Sequence, residues 1–496
     1  MLRRAAAATA RRIIRRHAST PPQRADAVVV GAGLVGVCTA ARLADAGLDT
    51  LCVTRHPPCS YTSAVSTECY RDFWPSMEMA ALMSRSIDLM EETSQQGIGL
   101  TRRGYAYCAR QPETLAKAVA ECESLGNVRH HATLAAYEPA PSGALNLDAV
   151  DALPTGFDVL HGDAARQAFP ALAEDVVGVV HARRAGWVDS GRYAAELVRR
   201  AKAAGVMFLA GRVDGVECEG GRVAGALVDG RRVATSTLVN CAGPYLTHIH
   251  GMVSEMELPV ANEVHAKCVF RDTLRTVPRN APMLISLDAT RVMEDAGLED
   301  VFGANVAAKL TGVAPAVRVR RPSSGLQLTG DPPRRRRRMS TPSTQGVHLR
   351  PWGDDHLLLL WDYWHADCDV DEPPADMPSF DADLYPEVCL RGLAGFIPGL
   401  RSYVDGESER PLIDGGYYTQ TPENRPLIGP GGVPGYYVNG AFAGFGLMAA
   451  EAAGELCAAH VLGNTLPPYA SAFVPTRYAD PAYPLEELVA RGGGSI

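Results

Sequence analysis

The stretch 26–47, DAVVVGAGLVGVCTAARLADAG, decides the fold. Its opening is a short β-branched run of the kind that forms a buried parallel strand. The glycine pattern Gly31-Ala32-Gly33-Leu34-Val35-Gly36 follows at once. An amphipathic helix then runs to Gly47, and Leu48–Val53 reads as a second strand. The result is a βαβ unit with glycines where a dinucleotide needs them. Gly31 permits the tight turn, Gly33 lets the backbone approach a pyrophosphate, and Gly36 allows the helix to pack closely on the strand. The helix N-terminus supplies N–H donors for phosphate. The glycine spacing alone is a weak signal; the flanking strand and helix make it a cofactor site.

Outward from this unit, the chain has 496 residues, 46% hydrophobic and 21% charged, the profile of a globular protein of two or three domains. Its net charge of -8 hides an asymmetry. Seven arginines and no acid precede Asp26, which leaves 41 basic against 56 acidic residues in the rest. The leader MLRRAAAATARRIIRRHAST is Arg-rich, acid-free and amphipathic as a helix, which predicts a mitochondrial presequence, a disordered tail being the alternative. The acidic balance gives no reason to expect nucleic acid as partner. The 12 cysteines carry no CxxC or Cys/His ligand spacing, so no metal site is expected and a reduced compartment suits them. No uninterrupted apolar run is long enough to span a bilayer; the nearest, Val433–Gly463, contains Asn439, Glu451 and Glu455.

Along the chain, 60–75 is a polar loop with embedded aromatics. Helical periodicity dominates 77–125, interrupted by a strand-like GYAYCAR, and further helices are expected at 158–172 and 191–204. Strands are expected at Val206–Ala210 and Arg222–Val228, the second followed by an Asp229-Gly230 turn. TLVNCAGPY (237–245) is a buried strand that breaks at Gly243-Pro244. Residues 311–345 hold eight arginines against the single acid Asp331, which reads as a disordered surface insertion or a mis-spliced segment, a nucleic-acid or anionic-lipid patch being the alternative. Residues 346–364 read as a hairpin turning at 353–355. GYYVNGAFAGFGLMAAEAAGELCAAHVLG (435–463) is a strand, a glycine-rich turn and a long helix.

Four separated segments carry a resemblance: 28–47, SAVSTECYR (63–71), TLVNCAGPY, and the pair YYTQTPENRPLIGP and NGAFAGFGLM. Together they resemble the D-amino-acid oxidase superfamily of FAD-dependent oxidoreductases, to which glycine oxidase, sarcosine oxidase and dimethylglycine dehydrogenase belong. The resemblance implies an α/β fold, with a Rossmann-like, glutathione-reductase-like FAD domain and an inserted α+β antiparallel-sheet substrate domain. It divides the chain into a presequence (1–24), FAD-domain pieces at 25–110, 156–250 and 406–480, substrate-domain pieces at 111–155 and 251–405, and a tail at 481–496. It places Gly31, Ala32, Gly33, Leu34, Val35 and Gly36 at the pyrophosphate and Val213 at the adenine. Ser66, Thr67, Ala242 and Gly243 are implied along the cofactor, and Gly444, Phe445, Gly446, Leu447 and Met448 at the flavin ring. Thr54 and Arg55 stand where an acidic residue usually holds the ribose. The helix opening at 444–448 would stabilise the negative charge of reduced flavin.

For substrate, Arg71 is the first candidate, because a guanidinium binds a carboxylate in a bidentate fork; a structural ion pair is its other reading. Tyr418 and Thr419 fall where the family places residues near the substrate cavity, or are ordinary core groups. His265 and Lys267 share one strand face, as do His348 and Arg350; each pair points either into a cavity or to the sheet's outer face. Gly416 stands where sarcosine-oxidase-like members attach flavin through Cys, so FAD is expected to be non-covalent. Met448 and Phe445 replace the family's Lys and His, which implies a dehydrogenase rather than an efficient oxidase. The expected reaction is oxidation of the CH–NH bond of an amino acid or N-methylated amine by hydride transfer to flavin N5. A 2-hydroxy acid dehydrogenase and a non-catalytic FAD-binding assembly factor for respiratory complex I are the alternatives. The expected partners are the amine and an electron-acceptor protein or quinone, with the matrix or the matrix face of the inner membrane as location.

Overall fold

A computed structural model of the chain describes residues 20–141, 144–288, 346–361, 365–367, 384–404 and 411–490. The leader to residue 19 and the basic stretch 311–345 lie outside the described residues. The β-branched run becomes the strand Ala27–Val30, buried on both faces, at the centre of a six-stranded sheet. Thr50–Thr54 and Met207–Ala210 lie in parallel on one side of it. Leu238–Asn240 and Tyr436–Gly440 lie in parallel on the other, and Leu427–Pro430 closes that edge antiparallel. Burial on both faces explains why the inner strands, Ala27–Val30 and Thr50–Thr54, are nearly continuous apolar runs rather than alternating ones.

Two helices cover one face. Leu34–Asp45 follows the first strand, and the Ala-rich Gly446–Leu462 crosses it. Their crossing is close: a Cβ on Gly454 would lie 2.8 Å from the Cys38 backbone. Alanines at 449, 450, 452 and 453 are buried there, and the two acids of the helix, Glu451 and Glu455, are paired with Arg200 and Arg85.

A second, ten-stranded sheet is mostly antiparallel. Its longest strand, Ala261–Arg271, lies one in from the edge; it pairs with the edge strand Leu412–Gln420 along its length, and with His365–Asp367 and His356–Leu360 on its other side. The hairpin His348–Trp352 to His356–Leu360 forms as expected. A separate three-stranded meander, Val213–Glu219, Arg222–Val228 and Arg231–Ala234, turns at Asp229-Gly230, both with positive φ.

The structure differs from the sequence expectation in two respects. Residues 158–172 are not one helix: Phe157–His161 is a strand, and the helix is only Gly162–Ala168. Asp158 is buried in this strand, where Arg129, His131 and Arg183 all bind its carboxylate. Secondly, Tyr105–Ala109, Phe157–His161, Gly178–Ala182 and Leu412–Gln420 belong to the ten-stranded sheet, although the sequence division put them with the dinucleotide unit. Their partners are remote: Tyr105–Ala109 pairs in parallel with Met283–Ser286, a contact no local pattern signals.

Candidate active site

The site is built where the six-stranded sheet ends and the ten-stranded sheet begins. At the first strand's C-terminal end Gly31 has φ +101, and a Cβ there would lie 2.4 Å from the Cys241 carbonyl oxygen. A Cβ on Gly36 would come within 2.0 Å of the Gly31 oxygen. The chain therefore turns as tightly as two backbones permit, and Gly33 becomes the N-cap of the helix with no side-chain cap bond. Its opening N–H groups lack helical partners.

A second helix N-terminus points at the same space. After Tyr436–Gly440 the turn holds Ala441 and Ala443 at φ +62 and +43, a strained backbone for residues with side chains. The Ala443 N–H donates to Thr419 O at 2.8 Å, pinning the turn to the ten-stranded sheet. Helix Gly446–Leu462 starts there, again with no side-chain cap bond.

The ten-stranded sheet supplies the facing wall. Register pairs His265 with Gly416 and Glu263 with Tyr418, so His265 and Tyr418 are diagonal neighbours. Their rings stack, centroids 3.8 Å apart and planes 14° apart. His265 Nε2 lies 3.0 Å from Glu263 Oε2, both residues buried. Lys267, two residues on, donates from Nζ to the carbonyls of Val65 (2.7 Å) and Ser66 (2.6 Å). Burial lowers its pKa from the ordinary lysine range, against the pull of Asp414 and Glu68. Residues 62–67 close the side, and Ser63 Oγ accepts the Leu34 N–H at 3.2 Å.

These parts enclose one cavity with an empty volume of about 970 Å³, its open mouth included. Gly33, Leu34, Val35, Gly36, Ser66, Thr67, Gly243, Gly444, Gly446 and Leu447 line it, as do His265, Lys267, Gly416, Tyr418 and Thr419. The remaining candidates lie around it. Gly31 and Ala32 form the back of the turn, where Ala32 O accepts the Cys59 N–H. Thr54 spends its hydroxyl on His56 O at 2.8 Å, and Arg55 lies 5.6 Å over the Tyr245 ring. Val213 pairs with Val228, two residues beyond Gly211, whose N–H bonds Thr54 O. Ala242 donates its N–H to Asn240 Oδ1, while Phe445 and Met448 are buried in the core behind the turn.

Arg71 stands one layer back. Its guanidinium lies 4.4 Å over the Trp74 ring and donates to Tyr107 Oη at 3.2 Å, and Trp74 packs on Phe445 at 5.1 Å. The Arg71 loop and the 444–448 turn are therefore neighbours, with Trp74 between them. His348 bonds Gly346 O, and Arg350 holds Thr67 O and Glu68. Sequence reasoning passed over Thr62, Ser63 and Asn439. Thr62 and Ser63 sit in the 60–75 loop and Asn439 in the quoted 435–463 segment, but only the fold brings them to the cavity.

The residues fit FAD. Two helix N-termini offer N–H donors to anionic groups, and glycines at 33, 444 and 446 leave room for the ligand to approach the backbone. Thr62 Oγ1 and Asn439 Oδ1, both from lining residues, are buried with no hydrogen-bond partner, as expected of atoms meant for a ligand. Among the described residues no group of three or more His, Cys, Asp or Glu is placed to hold a metal ion, and no helix is long and apolar enough to cross a membrane.

Fold and cavity together define a two-domain flavoprotein. The model of the FAD-dependent oxidoreductase family DAO matches residues 26–292, more than half of the chain, and the chain belongs to this family. Its cofactor is FAD. Among solved structures it is similar to L-proline dehydrogenase from P. horikoshii, with TM-score 0.65 and 18% identity, covering 92% of this chain and 99% of that one. Glycine oxidase from Geobacillus kaustophilus gives TM-score 0.64 and 16% identity over 92% and 99%. L-Amino acid deaminase from Proteus myxofaciens gives 0.63 and 14% over 94% and 96%. At these identities the likeness is one of fold. No curated protein sequence matches the chain.

Proposed function

We propose that the protein is an FAD-dependent dehydrogenase that oxidises the CH–NH bond of an amino acid or N-methylated amine. The observation that carries this reading is the single cavity in which the helix turn at 444–447 faces a sheet wall bearing Tyr418 and His265. The three solved structures above are named for enzymes of amino acids, which supports the substrate class.

Non-covalently bound FAD supplies the two-electron acceptor. The N–H groups of Gly446 and Leu447 are placed to stabilise negative charge at the turn. Tyr418, held flat on His265, forms a rigid wall that orients the donor carbon. His265, paired with the buried Glu263, is the wall group suited to hold the proton that an ammonium substrate must lose. Arg71 acts on the site from behind, through Trp74 and Phe445.

Met448 and Phe445 at the turn support electron delivery to a carrier protein or quinone. One observation favours the second reading, an oxidase: the Lys267 ammonium on the cavity wall is a cation that would stabilise negative charge on reduced oxygen. Stopped-flow mixing of reduced protein with air decides between them. Rapid reoxidation with stoichiometric peroxide would sink the dehydrogenase. Anaerobic bleaching of the flavin by proline, glycine, sarcosine and 2-hydroxy acids tests the donor. Bleaching by hydroxy acids alone would replace the amine reading, and bleaching by nothing, with stable binding to complex I subunits, would favour the assembly factor. The Arg-rich leader supports mitochondrial targeting; a reporter fused to residues 1–24 that stays cytosolic would overturn it.

A further inference from the structure

The cavity wall formed by residues 65–67 is held from outside the cavity. Arg350, in the strand His348–Trp352, is 1% exposed and is not a lining residue. Its Nε and Nη2 both donate to Thr67 O, at 3.2 and 2.8 Å, and Nη2 also donates to Glu68 Oε2 at 2.7 Å. Nη1 donates to Pro351 O at 3.1 Å, and the guanidinium lies 5.1 Å over the Trp187 ring. Glu68, at φ +69, uses its other oxygen to accept the N–H and hydroxyl of Ser190, at 3.2 and 2.7 Å. Lys267 holds the two preceding carbonyls, so three consecutive carbonyl oxygens are bound by two cations of the ten-stranded sheet.

We propose that Arg350 is a positioning residue for the cofactor: acting through Thr67 O and Glu68, it fixes the wall that residues 65–67 present to FAD. The inference rests on the FAD reading of the cavity. A buried guanidinium that forks onto a carbonyl and a carboxylate leaves its partners little freedom. Without it the Glu68 carboxylate and the Thr67 carbonyl lose their shared donor, and the strained Glu68 backbone is released. The slack would reach the phosphate end of the site as well, because the same segment carries Ser63, which caps Leu34 N–H.

A merely structural role predicts lost stability alone, and Arg183 provides the comparison. It is as deeply buried at the same sheet, bonded to Asp158 and to Glu138 O, and touches no wall residue. FAD affinity and release rate are measured by flavin fluorescence on full-length wild type, Arg350→Gln, Arg350→Lys, Glu68→Gln and Arg183→Gln, beside thermal unfolding of each apoprotein. The expected result is an FAD Kd raised about tenfold or more by Arg350→Gln, the loss of a charged hydrogen bond. Arg350→Lys and Glu68→Gln should give smaller rises, and Arg183→Gln only lowered stability. Wild-type affinity in Arg350→Gln and Glu68→Gln, or equal weakening by Arg183→Gln, overturns the proposal. Should Arg350→Gln fail to fold, Arg350→Lys and Glu68→Gln decide by the same comparison. A wild type that takes up no FAD would instead refute the cofactor assignment.

Discussion

Tyr418 leaves no room for a side chain at residue 444: a Cβ built on Gly444 would lie 2.5 Å from the tyrosine Cζ. The ring has little scope to retreat, since its face is stacked on His265. The glycine is therefore the condition for bringing the 441–446 turn against the sheet wall. Gly444→Ala is expected to lower the rate of flavin reduction and weaken FAD binding, by displacing either the turn or Tyr418. Anaerobic stopped-flow reduction of the variant, compared with Gly444→Ala/Tyr418→Ala, checks this. The smaller side chain at 418 should restore FAD binding in the double variant but not the reduction rate.

At Gly36 the obstacle is backbone. A Cβ there would stand 2.0 Å from the Gly31 carbonyl oxygen and 3.2 Å from Cys241 Cβ, so relief requires moving the helix off the strand. Gly36→Ala should cost about 1–3 kcal/mol, the range for overpacked cores, and should abolish tight FAD binding. Gly47→Ala is the control in the same unit. Its φ is +89, but nothing lies near its Cβ, so any cost there is conformational and FAD binding should persist. Urea unfolding with and without FAD measures both.

The two variants mark how far the sequence was legible. The GxGxxG turn, its strand and its helix follow from local chemistry, and the structure places them as the glycines require. The position of Gly444 as the start of a turn was readable too; its opposition to Tyr418 was not, because that contact depends on the register of Leu412–Gln420 against Ala261–Arg271. The same limit explains Arg71 and Lys267. A charged residue in a loop or strand looks available for substrate, but the fold decides whether a ring or a carbonyl has already claimed it: Trp74 and Tyr107 for Arg71, and carbonyls about two hundred residues away for Lys267. Asp158 shows the converse, since nothing local signals that an acid is buried until its arginine partners are known.

The C-terminal segment is fastened by a buried charge pair. Arg477 donates to Glu423 Oε1 at 2.7 and 3.1 Å, and Tyr478 and Tyr483 donate to the same oxygen. Arg477 also holds the carbonyls of Arg425 and Pro426, shaping the loop that leads from Tyr418 to Leu427. Arg477→Met would leave Glu423 buried without its partner and should cost about 3–5 kcal/mol. Glu423→Gln/Arg477→Met should recover part of that loss. Chemical denaturation of the single and double variants gives the coupling, and additive losses would refute the pair as the fastening.

His181 should make the protein acid-sensitive in a defined window. It is fully buried, and burial, with Arg183 beside it, lowers its pKa to about 3. Its Nε2 meets Arg103 O at 2.9 Å, and its Nδ1 faces the Tyr137 hydroxyl at 3.0 Å and Arg183 Nη1 at 3.3 Å, which suits a neutral ring protonated at Nε2. Asp158 and Arg129 are the other charges acting on it. In the unfolded chain the imidazole takes a proton near pH 6.5. The unfolded state therefore binds more protons than the folded one between that value and about 3. The stability this neutral histidine provides is complete above pH 6.5 and drains away as pH falls, at about 1.4 kcal/mol per unit. Arg129, His131 and Arg183 hold the Asp158 carboxyl below its usual range, which adds acid sensitivity at lower pH. Subtracting the unfolding profile of His181→Asn from that of the wild type removes this shared contribution. The variant should be less stable at pH 7, having lost the ring's hydrogen bonds, but shallower by one proton between pH 6 and 4. Parallel profiles would mean that His181 is already charged in the fold, with Asp158 rather than Arg183 governing it.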